Sequence, residues 1–441
     1  MNYSIFWHRR DIRINDNAGL YHALKGANPV KPIFIFDKNI LDQLPHDDAR
    51  VTFIHDELSN LKKAYKAHGS TLQVSYGKPK EIWEQLAQDS DLVDVFTNRD
   101  YERYAVARDT AVNDILSKNG KGFHTYKDHV IFEKGEVTKD DGNPYVVFTP
   151  FKRKWLAKLE TQMEENGSLS YFFKSYPTEE YSSNFIKVKS EPMITLADMG
   201  FERSSIQASD KKVNQAIIKK YDKQRNFPAI KGTSQLGVHF RFGTISIREK
   251  ARKAQSLNDT YLSELVWRDF YSMILQNFPR VEDSSFREKY EVIEWRNNEA
   301  EFVAWCNGST GYPIVDAGMR ELNTTGFMHN RVRMIVASFL TKHLLIDWRW
   351  GERYFAEKLL DFDLASNSGG WQWAAGCGTD AAPYFRVFNP YTQADKFDKE
   401  KKYIKKWVPE FGTDQYVDAI VDHKMARERC LARYKSALNP Q

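Results

Sequence analysis

YSIFW at residues 3–7, PIFIFD at 32–37, TLQVSY at 71–76 and LVDVFT at 92–97 are four short apolar runs, and their spacing decides the fold of the first part of the chain. Runs of this length, rich in β-branched and aromatic residues, are expected as strands of a buried sheet. Between the second and third, residues 55–68 place Leu58, Leu61, Ala64 and Tyr65 at helical spacing. Strand, helix, strand in alternation implies a parallel sheet with crossover helices. No GxGxxG or GxxxxGK[ST] follows any of the runs, so the usual sequence sign of a bound nucleotide is absent from this part.

Working outward, residues 134–200 turn polar and contain Pro- and Ser-bearing stretches such as SYPTEEYSSN at 175–184. The expected division is an α/β domain over 1–130, a connector over 131–200 and a helical domain over 201–441. Beyond 200 the strand rhythm gives way to long helical patterns, for example 261–278 and 329–346. The 441 residues are too many for one ordinary domain, and 41% hydrophobic with 28% charged residues is a globular composition. No run reaches the roughly 18 to 20 apolar residues of a membrane span. The opening MNYSIFWHRRDIRIND reads as neither signal nor transit peptide, which predicts a cytoplasmic protein. Cys306, Cys377 and Cys430 have no zinc-ligand spacing, so free thiols and no metal are expected. A net charge of +5 is compatible with a nucleic-acid partner and decides little by itself. Tryptophan says more, because Trp267, Trp295, Trp305, Trp348, Trp350, Trp371, Trp373 and Trp407 crowd into the second half.

Four segments there carry residues suited to chemistry. In SELVWRDFY (263–271), Glu264, Trp267, Arg268 and Tyr271 stand at i, i+3, i+4 and i+7, one face of a helix. That face either presents polar groups to a partner or is an acid–arginine pair with aromatics covering a core. In GFMHNRVRMIVASF (326–339), Asn330, Arg333 and Met334 lie within one turn, although Met is also a common core filler. LLDFDLASNSGGWQWAAGCGTDAAPYF (359–385) sets Asp361 and Asp363 beside Asn367, then runs through glycines into Trp371 and Trp373. Its carboxylates suit acid–base work or hydrogen bonds from a heterocycle. In YDKQRNFPAIKGTSQLGVHFRFGTIS (221–246), Thr233 and Ser234 precede an apolar run, as a helix cap or a phosphate cradle would.

These segments, together with GYPIVDAGMRELNTTGFMHNRVRM (311–334), GGWQWAAGCGTDAAPYFR (369–386) and WHRRDIRINDN (7–17), resemble the photolyase and cryptochrome family, most closely its class I cyclobutane-dimer photolyases. The resemblance covers nearly the whole chain and is densest over 221–393. It implies an α/β N-terminal domain with a parallel, Rossmann-like sheet and an all-α C-terminal domain that binds FAD. By the same resemblance Tyr221, Thr233, Ser234, Gln235, Leu236 and Gly237 lie near the FAD phosphates, Gly237 standing where relatives often carry Ser. Tyr261, Arg268, Asn330, Arg333, Asp361, Phe362, Asp363 and Asn367 would complete the flavin site, with Arg333 and Asp361 beside the ring and Asn367 facing its N5.

The implied reaction is light-driven repair of DNA containing cyclobutane pyrimidine dimers, in which excited reduced flavin lends an electron to the dimer and takes it back. Trp267 and Trp373 would wall the flipped dimer, with Met334, Tyr271, Asn330 and Glu264 against it, Glu264 as hydrogen-bond partner. Arg225, Arg331, Arg386 and Gln393 resemble contacts to the DNA strand. Trp371, Trp348 and Trp295 match the family's electron wire. The alternative is a cryptochrome-type blue-light receptor, against which Asn367 stands, since plant-type cryptochromes carry Asp there. Tyr104 and Ala105 replace the Asn and Glu of folate-binding relatives, so a second antenna chromophore, deazaflavin or folate, is left open. The expected state is a monomer.

Overall fold

A computed structural model of the chain describes residues 1–163, 170–189 and 191–438, so that 164–169 and 190 of the expected connector lie outside the described residues. Two compact units interleave along the sequence: Met1–Val137 with Trp155–Lys211 and Leu236–Ser256, and Thr138–Lys154 with Lys212–Gln235 and Leu257–Gln441.

The first unit is built on strands β1 (Tyr3–His8), β2 (Val30–Asp37), β3 (Gln73–Gly77), β4 (Leu92–Asn98) and β5 (Gly122–Tyr126). All pairings are parallel, in the order β3-β2-β1-β4-β5. This is the doubly wound arrangement that alternating strands and helices imply. Every residue of β1 is buried because the YSIFW run sits at the sheet's centre. Ile5, Trp7, Ile33, Ile35 and Val95 join Trp83 and Leu116 in one core. The edge strands β3 and β5 have no residue fully buried, and β5, GFHTY, lacks the apolar run read in the other four. Crossover helix α1 (Ala49–Ala67) covers the stretch where helical spacing was read, and buries Leu58, Leu61 and Tyr65.

A closed knot of charge holds the turn after β1. Arg13 Nη2 donates to Asp128 Oδ2 at 2.6 Å and to the Asp16 carbonyl at 2.7 Å. Arg248 donates to Asp128 Oδ1 and Asp16 Oδ1, both at 2.8 Å. All four side chains are buried, and two arginines meet two aspartates.

Residues 131–200 are not one irregular span, since helix α2 (Phe148–Glu160) lies within them, followed by short 3₁₀ turns. The second unit is helical, with α3 (Asp259–Asn277), α4 (Pro313–Thr325), α5 (Asn330–Ser338), α6 (Trp348–Lys358), α7 (Leu364–Ala375), α8 (Pro390–Phe397) and α9 (His423–Leu438) among its elements. The helix expected over 329–346 is shorter. It passes from α5 into a single π turn at Phe339–His343, and Leu345 then takes a left-handed φ of 50°. Most of the tryptophan excess is core, because Trp305, Trp348 and Trp371 are buried together while Trp295, Trp350, Trp373 and Trp407 press on them. The three cysteines are free and buried. No described helix is long and apolar enough to cross a membrane.

Candidate functional site

Helix α3 begins at Asn258, whose side chain accepts from Thr260 N at 3.0 Å and Tyr261 N at 3.1 Å. Between residues 261 and 275 every position is buried except Glu264, Trp267, Arg268 and Tyr271. The face read from the sequence is therefore the helix's open stripe. Gly369 of α7 lets Tyr271 lie directly on that helix, because a Cβ at 369 would come within 2.3 Å of the tyrosine ring. Trp373, one turn beyond Gly369 on the same face of α7, is half-buried.

Trp267 is held in place by a residue that the sequence did not single out. Phe148 stacks on the indole with ring centres 3.6 Å apart and planes 7° apart, while Phe270 meets it edge-on at 5.6 Å. The Phe148 amide in turn donates to Asp380 Oδ2 at 3.3 Å.

At the stripe's first turn Glu264 forms an ion pair with Arg225. Burial raises the Glu264 pKa, against Arg225 and Lys152, which lower it. The Arg225 guanidinium lies 5.5 Å over the Tyr221 ring, Tyr221 meets Tyr261 edge-on at 5.1 Å, and Tyr261 OH donates to Ser234 Oγ at 3.1 Å. Thr233 is half-exposed beside Ser234, and Gln235 follows with a left-handed φ of 52°. Leu236 and Gly237 belong to the first unit, where Leu236 is buried.

Arg331 Nη2 donates to Asn226 Oδ1 at 2.8 Å, and its guanidinium lies 4.3 Å over Phe397 of α8. Gln393 stands one turn earlier on that same face of α8. The Arg331 pKa is lowered, first by burial and then by Arg225 and Arg386, so the three arginines share one field. Among the described residues no carboxylate pairs with Arg331 or Arg386, and Glu264 alone offsets Arg225.

On the flavin side of the expectation, Arg333 Nη2 reaches both Asp361 oxygens at 3.0 Å, and its Nε donates to the Met328 carbonyl at 2.7 Å. Asp363 caps α7, accepting from Ser366 N at 3.2 Å and Ser366 Oγ at 3.0 Å. Asn367 Nδ2 donates to Glu352, at 3.0 Å to its carbonyl and 2.8 Å to Oε1, so both of its N–H groups are engaged there. Burial raises the pKa of Glu352, a second residue missed from the sequence because nothing in its spacing sets it apart. Phe362 and Met334 are half-buried and Asn330 is exposed. Of the three expected wire residues, Trp371 and Trp348 are buried and Trp295 half-buried; the ring neighbours of Trp371 are Phe355 at 5.0 Å and Trp305 at 6.0 Å.

Whether this setting suits a flavin nucleotide can be tested on its unsatisfied donors. His329 Nδ1 accepts from Arg331 N at 3.2 Å, which puts the ring proton on Nε2. Burial and three arginines push its pKa down to about 4, so the ring is neutral. His329 Nε2 and Arg331 Nε are then buried donors without an acceptor among the described residues. These buried donors, within one turn of the Arg333 that pairs with Asp361, together with the polar and aromatic stripe of α3, fit a ligand that is both anionic and flat. A folate antenna fits less well in the first unit. There Tyr104 OH donates to Asp37 Oδ2 at 2.7 Å and Ala105 is buried, so neither position offers a carboxamide or a carboxylate.

Comparison with known proteins bears on the same residues. The family model for DNA photolyase matches residues 4–168, and that for the FAD binding domain of DNA photolyase matches 261–413. The deoxyribodipyrimidine photo-lyase of Halobacterium salinarum is 37% identical, the alignment covering 98% of this chain and 99% of that protein. That of Escherichia coli is 36% identical, covering 99% of each. A class III photolyase from Agrobacterium tumefaciens superposes with a TM-score of 0.85 at 31% identity, covering 99% of this chain and 98% of that one. An archaeal photolyase from Sulfolobus tokodaii, solved with two FAD molecules, superposes at 0.79 with 32% identity, covering 99% and 100%. A Synechocystis cryptochrome superposes at 0.83 but at 23% identity, which shows a shared fold alone. With both of its units matched and more than a third of its residues identical to photolyases over nearly the full length, this chain belongs to the DNA photolyase family.

Proposed function

We propose that this protein is a deoxyribodipyrimidine photo-lyase that binds FAD and uses blue light to split cyclobutane pyrimidine dimers in DNA, as a cytoplasmic monomer. The observation that carries the DNA part is the set Arg225, Arg331 and Arg386, three cations in one field with a single acid among them, beside the stripe bearing Trp267. An unbalanced cation cluster attracts phosphates, and aromatic walls accept a base taken out of its stack.

Tyr221, Thr233, Ser234 and Gln235, with Leu236 and Gly237 next in sequence, would hold the FAD phosphates. Tyr261, Arg268, Asn330, Arg333, Asp361, Phe362, Asp363 and Asn367 would hold the sugar and ring. Bound and reduced, FAD supplies under light the electron that opens the cyclobutane ring and receives it again, with no net redox change. The chain's own residues set the conditions for that exchange. Arg333, anchored on Asp361, keeps a cation where it favours negative charge on the ring. Asn367 is a neutral amide with its N–H groups turned to Glu352, so it offers the ring no proton. Glu264 has a carboxyl whose pKa burial raises, suited to hydrogen-bonding a thymine carbonyl. Trp267, fixed by Phe148, and Trp373 exclude water from the dimer, with Tyr271, Asn330 and Met334 beside it. Gln393, on the helix face that meets Arg331, extends the strand contact. Trp371, Trp348 and Trp295 would return electrons to the flavin from outside.

The test is illumination of the purified, reduced protein with an oligonucleotide carrying a thymine dimer. Recovery of absorbance in the thymine band is expected. A yellow protein that leaves the dimer intact under light would refute the reading and favour a light receptor instead.

A further inference from the structure

Lys342 lies in the π turn Phe339–His343 and is 1% exposed. A buried lysine ordinarily meets a carboxylate, because an isolated ammonium in a protein interior is costly. Here Nζ donates to the backbone carbonyl of Arg386 at 3.0 Å, and among the described residues no carboxylate pairs with it. The groups that face it are Cys430 of α9, Cys377 just beyond α7, and the Arg386 guanidinium. Both thiols stay protonated, with pKa values that burial pushes up to about 11 and about 12. Tyr434 of α9 is raised further by burial, and Arg429 on that helix donates to the neighbouring His343 carbonyl at 2.6 Å. The ammonium therefore has one polar partner of consequence, a carbonyl in the segment 379–389.

That segment is tied at other points too. Asp380 accepts from the Phe148 amide at 3.3 Å, and Tyr384 stacks on Tyr434 at 5.8 Å. Just beyond these ties Phe385, at 61%, and Arg386 stand exposed. A buried charge with no counter-ion weakens the fold, and a methionine of similar length would spare that cost. Its use lies in what it holds.

We propose that Lys342 is a positioning residue for damaged DNA: its ammonium grips the Arg386 carbonyl from beneath and holds the exposed guanidinium in line with Arg225 and Arg331. The inference rests on reading Arg386 as a DNA contact. Losing the charge weakens a charge-assisted bond and lets the segment move, and loss of one such bond is worth about tenfold in affinity.

Burial pushes the Lys342 pKa down from 10.5 to about 8. Above that value the folded chain has lost a proton that the unfolded chain keeps until about 10.5, so this group makes stability rise with pH across the window. DNA affinity, if the grip matters, falls across the same window. A merely structural lysine would move only the first.

The experiment measures binding of a thymine-dimer oligonucleotide to the FAD-loaded protein from about pH 7 to about pH 9 at fixed salt, alongside thermal melting and flavin absorbance. Wild type should lose about tenfold in affinity as it gains thermal stability, while Lys342→Met should start about tenfold weaker at neutral pH and show no such fall. A Lys342→Met protein that binds like wild type, or a flat wild-type profile, overturns the proposal; the wild-type profile decides it even if the variant does not fold. Arg386→Ala is the separate arm. If that variant keeps full affinity and salt dependence, the assignment of Arg386 to DNA fails, and the grip loses its purpose; if it weakens binding while Lys342→Met does not, the grip alone is wrong.

Discussion

Two arginine clusters in this molecule differ in balance. In the first unit Arg13 and Arg248 face Asp16 and Asp128, all buried, with the Asp128 carboxylate shared by both arginines and that of Asp16 paired with Arg248. In the second unit Arg225, Arg331 and Arg386 share a field with only Glu264 paired among them. A closed set of opposite charges holds backbone in place. An open set of like charges costs stability and makes sense only with an anion from outside. Net charge over the whole chain, +5, conceals this contrast entirely.

The largest effect should come from opening the closed cluster. Asp128→Ala removes the carboxylate that pairs with buried Arg13 and one of the two that pair with buried Arg248, and should cost about 3–5 kcal/mol in chemical denaturation. Lesion affinity of the molecules that remain folded should be unchanged. Burial pushes the Asp128 carboxyl up, but Arg13 and Arg248 pull it below the ordinary carboxylate value. Its contribution is thus present above that ordinary value and is lost as pH falls through the depressed one. If the variant melts like wild type, the cluster is not what holds the turn after β1.

Next in size is Trp267→Ala, which removes a wall beside the open cluster. Binding of dimer-containing DNA should weaken by about 1–3 kcal/mol, the worth of one stacked base, with flavin retained. Loss of flavin from this variant would instead mark Trp267 as structural. Arg331→Ala should act more evenly, weakening damaged and undamaged DNA alike by about tenfold and lowering the salt slope by about 1. A change confined to damaged DNA would show that Arg331 reads the lesion and does not simply hold the strand. The smallest effect belongs to Asp363→Ala, which should cost about 1 kcal/mol in thermal melting through loss of the α7 cap. If flavin binding falls far more than stability, Asp363 serves the ligand beyond its capping role.

Much of this was legible in the sequence, for physical reasons that differ by region. Four strands announced themselves through their apolar and β-branched residues, the central ones because a parallel strand buried on both faces is largely apolar; β5, GFHTY, did not, since an edge strand need not be, and the other edge strand, β3, is likewise only partly buried. The stripe of Glu264, Trp267, Arg268 and Tyr271 was readable because helical periodicity fixes which residues share a face. What periodicity cannot show is who arrives from elsewhere in the chain. Phe148 reaches Trp267 from more than a hundred residues away, and Glu352 meets Asn367 from a separate helix. The helix expected to run through 346 looked continuous because no Pro or Gly interrupts SFLTKHLLI, and only hydrogen bonding reveals the π turn.

That wider turn sets a phase. A turn bonded i to i+5 takes up one residue more than an α turn, so deleting one residue from 339–343 to restore normal pitch would change which residue fills each place within it. Lys342 would move off its carbonyl. The segment can trade side chains of similar bulk, but it cannot be shortened: its length is the information it carries.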